Sequence, residues 1–230
     1  MPKILAVITA RGGSKGLPGK NTKALVGRPL INYSIAAARA ASGIDRIIVS
    51  TDATDIADIA RLAGAEVPFM RPAELATDET PTIPVLTHVL EWLAEHESYA
   101  PDYLLLLQPT SPLRTAADIE AAITIATDKN ADGVVSVSEP STHPFLTKRL
   151  ADDGHLVEAF PQDPPITRRQ DLPTFYALNG AIYLIRADVL LKKHTFYTEK
   201  TFPYIMPIER SWDIDTENDF LHCERLLAGG

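Results

Sequence analysis

Only one cysteine, Cys223, occurs in the 230 residues, so no intrachain disulfide can form and a reducing compartment suits the chain. No run of about 20 apolar residues is present, which excludes a membrane-spanning helix. The N-terminus, Met-Pro-Lys-Ile-Leu-Ala-Val-Ile, passes directly into a strand-like segment. It lacks the longer apolar core and small-residue cleavage site of a secretory signal, so a cytoplasmic protein is expected. The six histidines show no metal-ligand spacing, which argues against zinc. Internal repeats and low-complexity tracts are missing as well. Acidic residues are absent from one stretch: none precedes Asp45.

That last absence is informative. The chain carries a net charge of −8, which argues against nonspecific nucleic-acid binding. Yet Lys3, Arg11, Lys15, Lys20, Lys23, Arg28 and Arg39 give the first 44 residues a charge of +7, leaving −15 for the remainder. A cationic segment in an acidic protein suits a small anionic ligand better than a polyanion. Without the glycine-rich loop described below, a solvated face would explain it equally well.

The apolar fraction of 45% supports a sizeable core, and the length fits one α/β domain. Apolar runs at Ile4–Thr9, Arg46–Ser50, Tyr103–Leu107, Gly133–Val137 and Ala181–Ile185 predict buried strands, with a further short strand at Glu66–Met70. Helical spacing predicts helices over Leu30–Ala41, Asp52–Leu62, Ile83–Glu95, Ala116–Ala126 and Asn218–Leu227. This alternation predicts a mostly parallel twisted sheet with helices on both faces, whose ligands sit at the carboxyl ends of the strands. One proline-rich stretch, about 139–177, breaks the pattern. Its weak strands, Phe145–Leu150 and His155–Phe160, flank Asp152-Asp153-Gly154 and predict a β-hairpin arm inserted in the domain as a lid, binding arm or dimer contact.

After the first strand comes Ala10-Arg-Gly-Gly-Ser-Lys-Gly-Leu-Pro-Gly-Lys-Asn21, with four glycines, three cations and no acid. Glycines let backbone N–H groups approach phosphate oxygens, and cations offset the charge of a triphosphate. The glycine–lysine spacing and Asn21 do not fit a Walker A loop, and no dinucleotide fingerprint is present. Gly12-Gly13-Ser14-Lys15-Gly16 matches the nucleophile elbow of serine hydrolases, but Gly16, Pro18 and Gly19 forbid the helix that the elbow requires.

This loop resembles that of the acylneuraminate cytidylyltransferases, a family of nucleotidyltransferases with a Rossmann-like fold. The resemblance continues through Ile48-Val-Ser-Thr-Asp52, Arg71-Pro-Ala-Glu-Leu-Ala76, Leu107-Gln-Pro-Thr-Ser-Pro-Leu-Arg114, Arg169-Gln170, Asn179-Gly-Ala-Ile-Tyr183 and Asp213-Ile-Asp215, and so covers nearly the whole chain. It implies a cytoplasmic homodimer that joins CMP from CTP to a nine-carbon sugar acid with Mg²⁺, binding neither nucleic acid nor membrane. By the same resemblance Ala10, Arg11, Gly12, Ser14, Lys20 and Asn21 hold the nucleotide's phosphates and ribose. Arg71 meets the cytosine, with Thr80 and Thr82 nearby. Gln108, Thr110, Ser111, Asn179 and Tyr183 face the sugar, Arg169 on the arm pairs with its carboxylate, and Asp213 and Asp215 hold the metal. Arg11, Lys20, Asp213 and Asp215 are the catalytic candidates. Leu146 and Ala177 stand where sialic-acid-specific members carry a Lys and an Arg, which points to a legionaminic or pseudaminic type of acid.

The residues support parts of this independently. In extended Trp212-Asp-Ile-Asp, both carboxylates point to one face and Ile214 to the core, making an oxygen-rich site for Mg²⁺. Thr216-Glu-Asn-Asp219 also looks like a capping box, so Asp215 or Thr216 is equally a helix cap. Arg71 follows an apolar segment and offers a fork of donors to a cytosine. Gln108 and Thr110 end the most apolar strand, where ligands are expected, though Thr110 or Ser111 can instead cap the following helix. Arg168 and Arg169 offer fork donors to a carboxylate, or pair with Asp171 in solvent.

Overall fold

The computed structural model describes residues 2–13, 16–161, 166 and 168–229. The strands are β1 (Ile4–Thr9), β2 (Ala24–Leu25), β3 (Arg28–Pro29), β4 (Arg46–Ser50), β5 (Tyr103–Leu106), β6 (Gly133–Ser138), β7 (Lys148–Leu150), β8 (Leu156–Glu158), β9 (Ala177–Arg186) and β10 (Thr201–Ile205). The helices are α1 (Ile31–Ala40), α2 (Thr54–Leu62), α3 (Thr82–Glu97), α4 (Ala116–Asp128), α5 (Ala187–Lys193) and α6 (Glu217–Ala228). Six strands form one sheet in the order β10-β6-β9-β5-β1-β4. β1 pairs in parallel with β4 and β5, and β10 in parallel with β6, while β9 runs antiparallel to both β5 and β6. This is the expected mostly parallel sheet with one reversed strand.

The sheet is covered on both faces because its central strands are apolar on both. Along β1, Ile4, Ala6 and Ile8 pack with Ile31 and Ile35 of α1, Ile56 of α2 and Ile119 of α4. Leu5 and Val7 point the other way, to Leu86 and Val89 of α3 and Leu190 of α5. A third cluster joins the two ends of the chain: Leu17, Leu25 and Leu30 pack against Ile214, Phe220 and Cys223. Fully burying a leucine or isoleucine contributes about 2 kcal/mol, so this cluster holds the glycine-rich loop against the segment leading into α6.

The reversal of β9 matters for the site. Its first residues, Ala177 to Gly180, lie at the sheet edge where β1, β5 and β6 end. The strand is longer than its apolar run, Ala181–Ile185, and irregular where it passes β6 between Val135 and Val137. The expected strand at Glu66–Met70 is only an isolated bridge from Ile48 to Glu66, since Pro68 has no N–H to continue a ladder. β10 was hidden by Pro203, which is tolerated because β10 is an edge strand. The hairpin is present but shorter than expected, with β7 and β8 flanking the Asp152–Gly154 turn. Among the described residues no helix is long and apolar enough to cross a membrane.

Candidate active site

At the carboxyl edge of the sheet, two cavities share a wall. The first, about 720 Å³, is lined by Thr9, Arg11, Gly16, Lys20, Asn21, Gln108, Pro109, Thr110, Asp213, Asp215 and Thr216. The second, about 510 Å³, includes Ser138, Glu139, Ala177, Leu178, Asn179, Gly180, Tyr183, Ile208, Ser211 and Trp212. Gln108 and Asp213 line both.

The first cavity is built from the chain's two ends. Lys20 Nζ donates to the Ile214 carbonyl at 2.6 Å and lies 3.5 Å from Asp215 Oδ1. Ile214 N in turn donates to the Thr110 carbonyl at 2.9 Å, which binds the segment to the loop after β5. Gly16 fits here because it has no side chain: a Cβ would lie 2.6 Å from the Asp215 carbonyl oxygen. Asn21, buried, donates from Nδ2 to the Arg11 carbonyl at 3.0 Å and so fixes the loop's start. Gly12 N donates to Asp52 Oδ1 at 2.9 Å. Arg11 forms an ion pair with Asp78, which draws the segment before α3 over the loop.

Asp213 and Asp215 differ in environment although both line the first cavity. Ile214, between them, is fully buried, as the alternation predicts. The Asp215 side chain is 76% exposed. Burial pushes the Asp213 carboxyl above its ordinary range and nearby Asp215 adds to this, while a hydrogen bond from Thr110 and the charge of Lys20 oppose it. Asp213 Oδ1 is buried with no hydrogen-bond partner among the described residues. The capping alternative is settled by α6 itself. Thr216 is the N-cap, and Asp219 Oδ2 accepts from Thr216 N at 2.8 Å and Asp215 N at 3.2 Å. Both metal candidates therefore keep their carboxylates out of the cap.

On the second cavity's wall, Gly180 has φ +74°, and a Cβ there would sit 2.7 Å from Gln108 Oε1. Asn179 lines the cavity, but its amide is engaged inside the fold: Ser136 Oγ donates to Oδ1 at 2.6 Å and Nδ2 donates to Ser211 Oγ at 3.0 Å. Tyr183 lines the same cavity.

Other candidates stand outside these two cavities. Arg71 is buried, and its Nε and Nη2 donate to Ser50 Oγ and the Ser50 carbonyl at the end of β4. Burial pulls its pKa down to about 10, with the charge of Asp52 opposing and that of Arg11 adding to the shift. Thr80 shares a 2.6 Å hydrogen bond with Thr77, and Thr82 begins α3. Ser111 is 1% exposed, its hydroxyl has no partner among the described residues, and it lines neither cavity. Thr115, rather than Thr110 or Ser111, caps α4. Ala10 is buried at the end of β1 and donates its N–H to the Ser50 carbonyl at 3.0 Å. Arg169 lies in the 3-10 turn Arg169–Asp171. Its side chain, like Ser14, falls outside the described residues.

Arg114, the last residue of the Leu107–Arg114 motif, has a structural part that the motif alone does not reveal. Arg114 is 3% exposed and donates to the Ala181 carbonyl at 2.7 Å, Ser34 Oγ at 2.6 Å and the Gln108 carbonyl at 3.3 Å. It thereby ties α1, the loop after β5 and β9 together behind Gln108. Burial lowers its pKa to about 9. Its place at the end of Gln-Pro-Thr-Ser-Pro-Leu-Arg was the available signal.

Comparison with known proteins identifies the family and the fold. The sequence profile of a family described as Cytidylyltransferase matches residues 5–226. The CMP-N,N'-diacetyllegionaminic acid synthase of Legionella pneumophila is 42% identical over 230 residues, covering 98% of this chain and 96% of that protein. An N-acylneuraminate cytidylyltransferase of Streptococcus agalactiae is 37% identical over 222 residues, covering 96% of this chain and 52% of its own length, so the chain spans about half of that relative. Among solved structures, CMP:2-keto-3-deoxy-manno-octonic acid synthetase complexed with CTP shares the fold, with a TM-score of 0.71, 20% identity and coverage of 99% of both chains. The nearly complete profile match and the full-length similarity place this chain in the cytidylyltransferase family of nucleotidyltransferases.

Proposed function

We propose that the chain transfers CMP from CTP to the anomeric 2-hydroxyl of a nine-carbon, sialic-like 2-keto sugar acid and releases pyrophosphate. The observation that carries this reading is the meeting of the two cavities at Gln108 and Asp213. Triphosphate in the first would lie beside Arg11 and Lys20, and a sugar acid in the second would present its hydroxyl across the shared rim. Catalysis is then mainly positioning and charge neutralisation. Lys20 and Arg11 offset charge on the departing pyrophosphate, Arg11 exchanging Asp78 for phosphate, and Asn21 keeps the loop in place.

The residues present fit Mg²⁺. Its hard-oxygen preference is met by one or two carboxylates when substrate phosphates supply further ligands, and the buried Asp213 Oδ1 has no hydrogen-bond partner among the described residues. Asp213 and Asp215 would hold the ion, which when bound supplies charge neutralisation to the phosphate oxygens.

The second cavity sets Ser138, Ser211 and Glu139 against Ala177, Leu178, Ile208 and Trp212. Such a wall suits an acid bearing acylamino and deoxy groups, in line with the legionaminic acid in the Legionella relative's name. Leu150 and Leu156 on the arm are 70% and 69% exposed, which supports a homodimer through the hairpin. The reading is tested by measuring pyrophosphate release with each of four nucleoside triphosphates against N-acetylneuraminate, N,N'-diacetyllegionaminate, pseudaminate and an eight-carbon 2-keto-3-deoxy acid. Release is expected only with CTP and a nine-carbon acid. Equal release with another triphosphate, or release independent of the sugar, would overturn it.

A further inference from the structure

A buried carboxylate lies away from both cavities. Asp118, in the first turn of α4, has 0% side-chain exposure. Its two oxygens accept five hydrogen bonds. Thr115 N and Oγ1 donate to Oδ2 at 2.8 and 2.7 Å, and the first of these, with Asp118 N donating back to Thr115 Oγ1 at 3.4 Å, makes the capping box of α4. The other three exceed what a cap requires. Tyr204 OH in β10 donates to Oδ1 at 2.6 Å, and Arg210 spans the carboxylate with Nη2 on Oδ1 at 2.6 Å and Nε on Oδ2 at 3.1 Å. A two-pronged pair of this kind fixes orientation as well as distance.

Arg210 closes the 3-10 turn Ile208–Arg210, and Ser211, Trp212 and Asp213 follow it directly. The next residue, Ser211, is held by Asn179 Nδ2 and by its own donation to the Pro207 carbonyl at 2.9 Å. Beyond Asp213, Ile214 N is tied to Thr110. Asp213 thus sits on a short span anchored at both ends. The upstream anchor crosses the fold from α4.

We infer that Asp118 is a positioning residue for Asp213, acting through Arg210 to aim the Asp213 carboxylate at the cation shared with the nucleotide. This rests on the reading of Asp213 as a metal ligand. The pair joins residues 92 apart in sequence, and the carboxylate is completely enclosed, so the anchor is rigid. Breaking it frees the turn before Asp213 without touching Lys20, Arg11 or Asn21. The loss should therefore appear in metal use before it appears in nucleotide affinity.

The experiment compares wild type with Arg210→Met, Arg210→Lys, Tyr204→Phe and Asp213→Ala. Half-activation by Mg²⁺ is measured at saturating CTP. Mn²⁺ binding is followed by electron paramagnetic resonance with a CTP analogue whose α,β-bridging oxygen is a methylene. For Arg210→Met, both metal constants are expected to rise about tenfold while the CTP KM at saturating Mg²⁺ stays within twofold. Arg210→Lys, which keeps the charge and loses the fork, should give a smaller rise in the same direction, and Tyr204→Phe should stay within threefold. If Arg210→Met does not fold, Arg210→Lys decides, with a threefold rise as the threshold. Metal constants within twofold of wild type for the deciding Arg210 variant, alongside lower thermal stability, would reduce the anchor to a structural role and overturn the inference. If Asp213→Ala itself leaves both metal constants unchanged, the reading of the metal site fails instead.

Discussion

Lys20 Nζ donates a 2.6 Å hydrogen bond to the carbonyl of Ile214, a residue 194 positions away. This contact places a loop cation between two acidic residues from the other end of the chain. Lys20→Met keeps most of the side-chain volume and removes the charge. Loss of a charged group stabilising a leaving phosphate costs about 10²–10³-fold in rate, and kcat/KM for CTP should fall by that order. One lost hydrogen bond costs stability only about 1–2 kcal/mol. Steady-state kinetics and thermal denaturation of the same preparation check both.

Gly16 lies so close to the Asp215 carbonyl that even a methyl group collides with backbone at 2.6 Å. Gly16→Ala should push the loop and the Asp215 segment apart. We expect activity to fall at least tenfold, with a larger stability loss than a surface alanine, about 1–3 kcal/mol. Urea unfolding and pyrophosphate release are the measurements.

Asp215 is largely exposed and does not cap α6, so its side chain is dispensable to the fold. Asp215→Ala should leave the unfolding midpoint nearly unchanged and reduce turnover at least a hundredfold. Normal pyrophosphate release by a folded variant would remove Asp215 from the site.

Asp118 gives the stability a pH signature. Burial alone would raise its pKa, but the bonds from Arg210, Tyr204 and Thr115 prevail and hold it at about 2. A folded pKa below the unfolded value contributes stability that is present above the unfolded pKa and lost as pH falls through the folded one. From an ordinary value of 3.8, the contribution at neutral pH is about 2 kcal/mol. Asp118→Asn should therefore be less stable than wild type at pH 7 by that order, with the gap narrowing between pH 4 and 2. Urea titrations across that range check it, and a gap that stays constant would contradict the assignment.

Much of this was legible in the sequence because it is written in short-range pattern. The period-two spacing of Asp213 and Asp215 around Ile214 places both carboxylates on one cavity, and Thr216 with Asp219 forms the cap that their spacing suggests. The parallel strands β1, β4 and β5 are visible as apolar runs. The direction of β9 did not, since alternation reports burial and says nothing of strand polarity. β10 was masked by Pro203, whose tolerance depends on its being at an edge. Arg71 reads as an open fork at a strand end, whereas in the fold Ser50 takes two of its nitrogens. The Asp118–Arg210 pair leaves no local trace, because α4's own capping accounts for an acid at that position and its partner lies far along the chain.

In the proposed reaction the glycine-rich loop and the carboxylate pair act together on the α-phosphorus of one CTP. This is tested most directly by following label from [α-³²P]CTP and [γ-³²P]CTP in parallel reactions with a nine-carbon 2-keto acid. The α label should appear in a sugar nucleotide and the γ label in pyrophosphate, in equal amounts. Appearance of the γ label as inorganic phosphate or on the sugar, with the α label left in CDP, would contradict it.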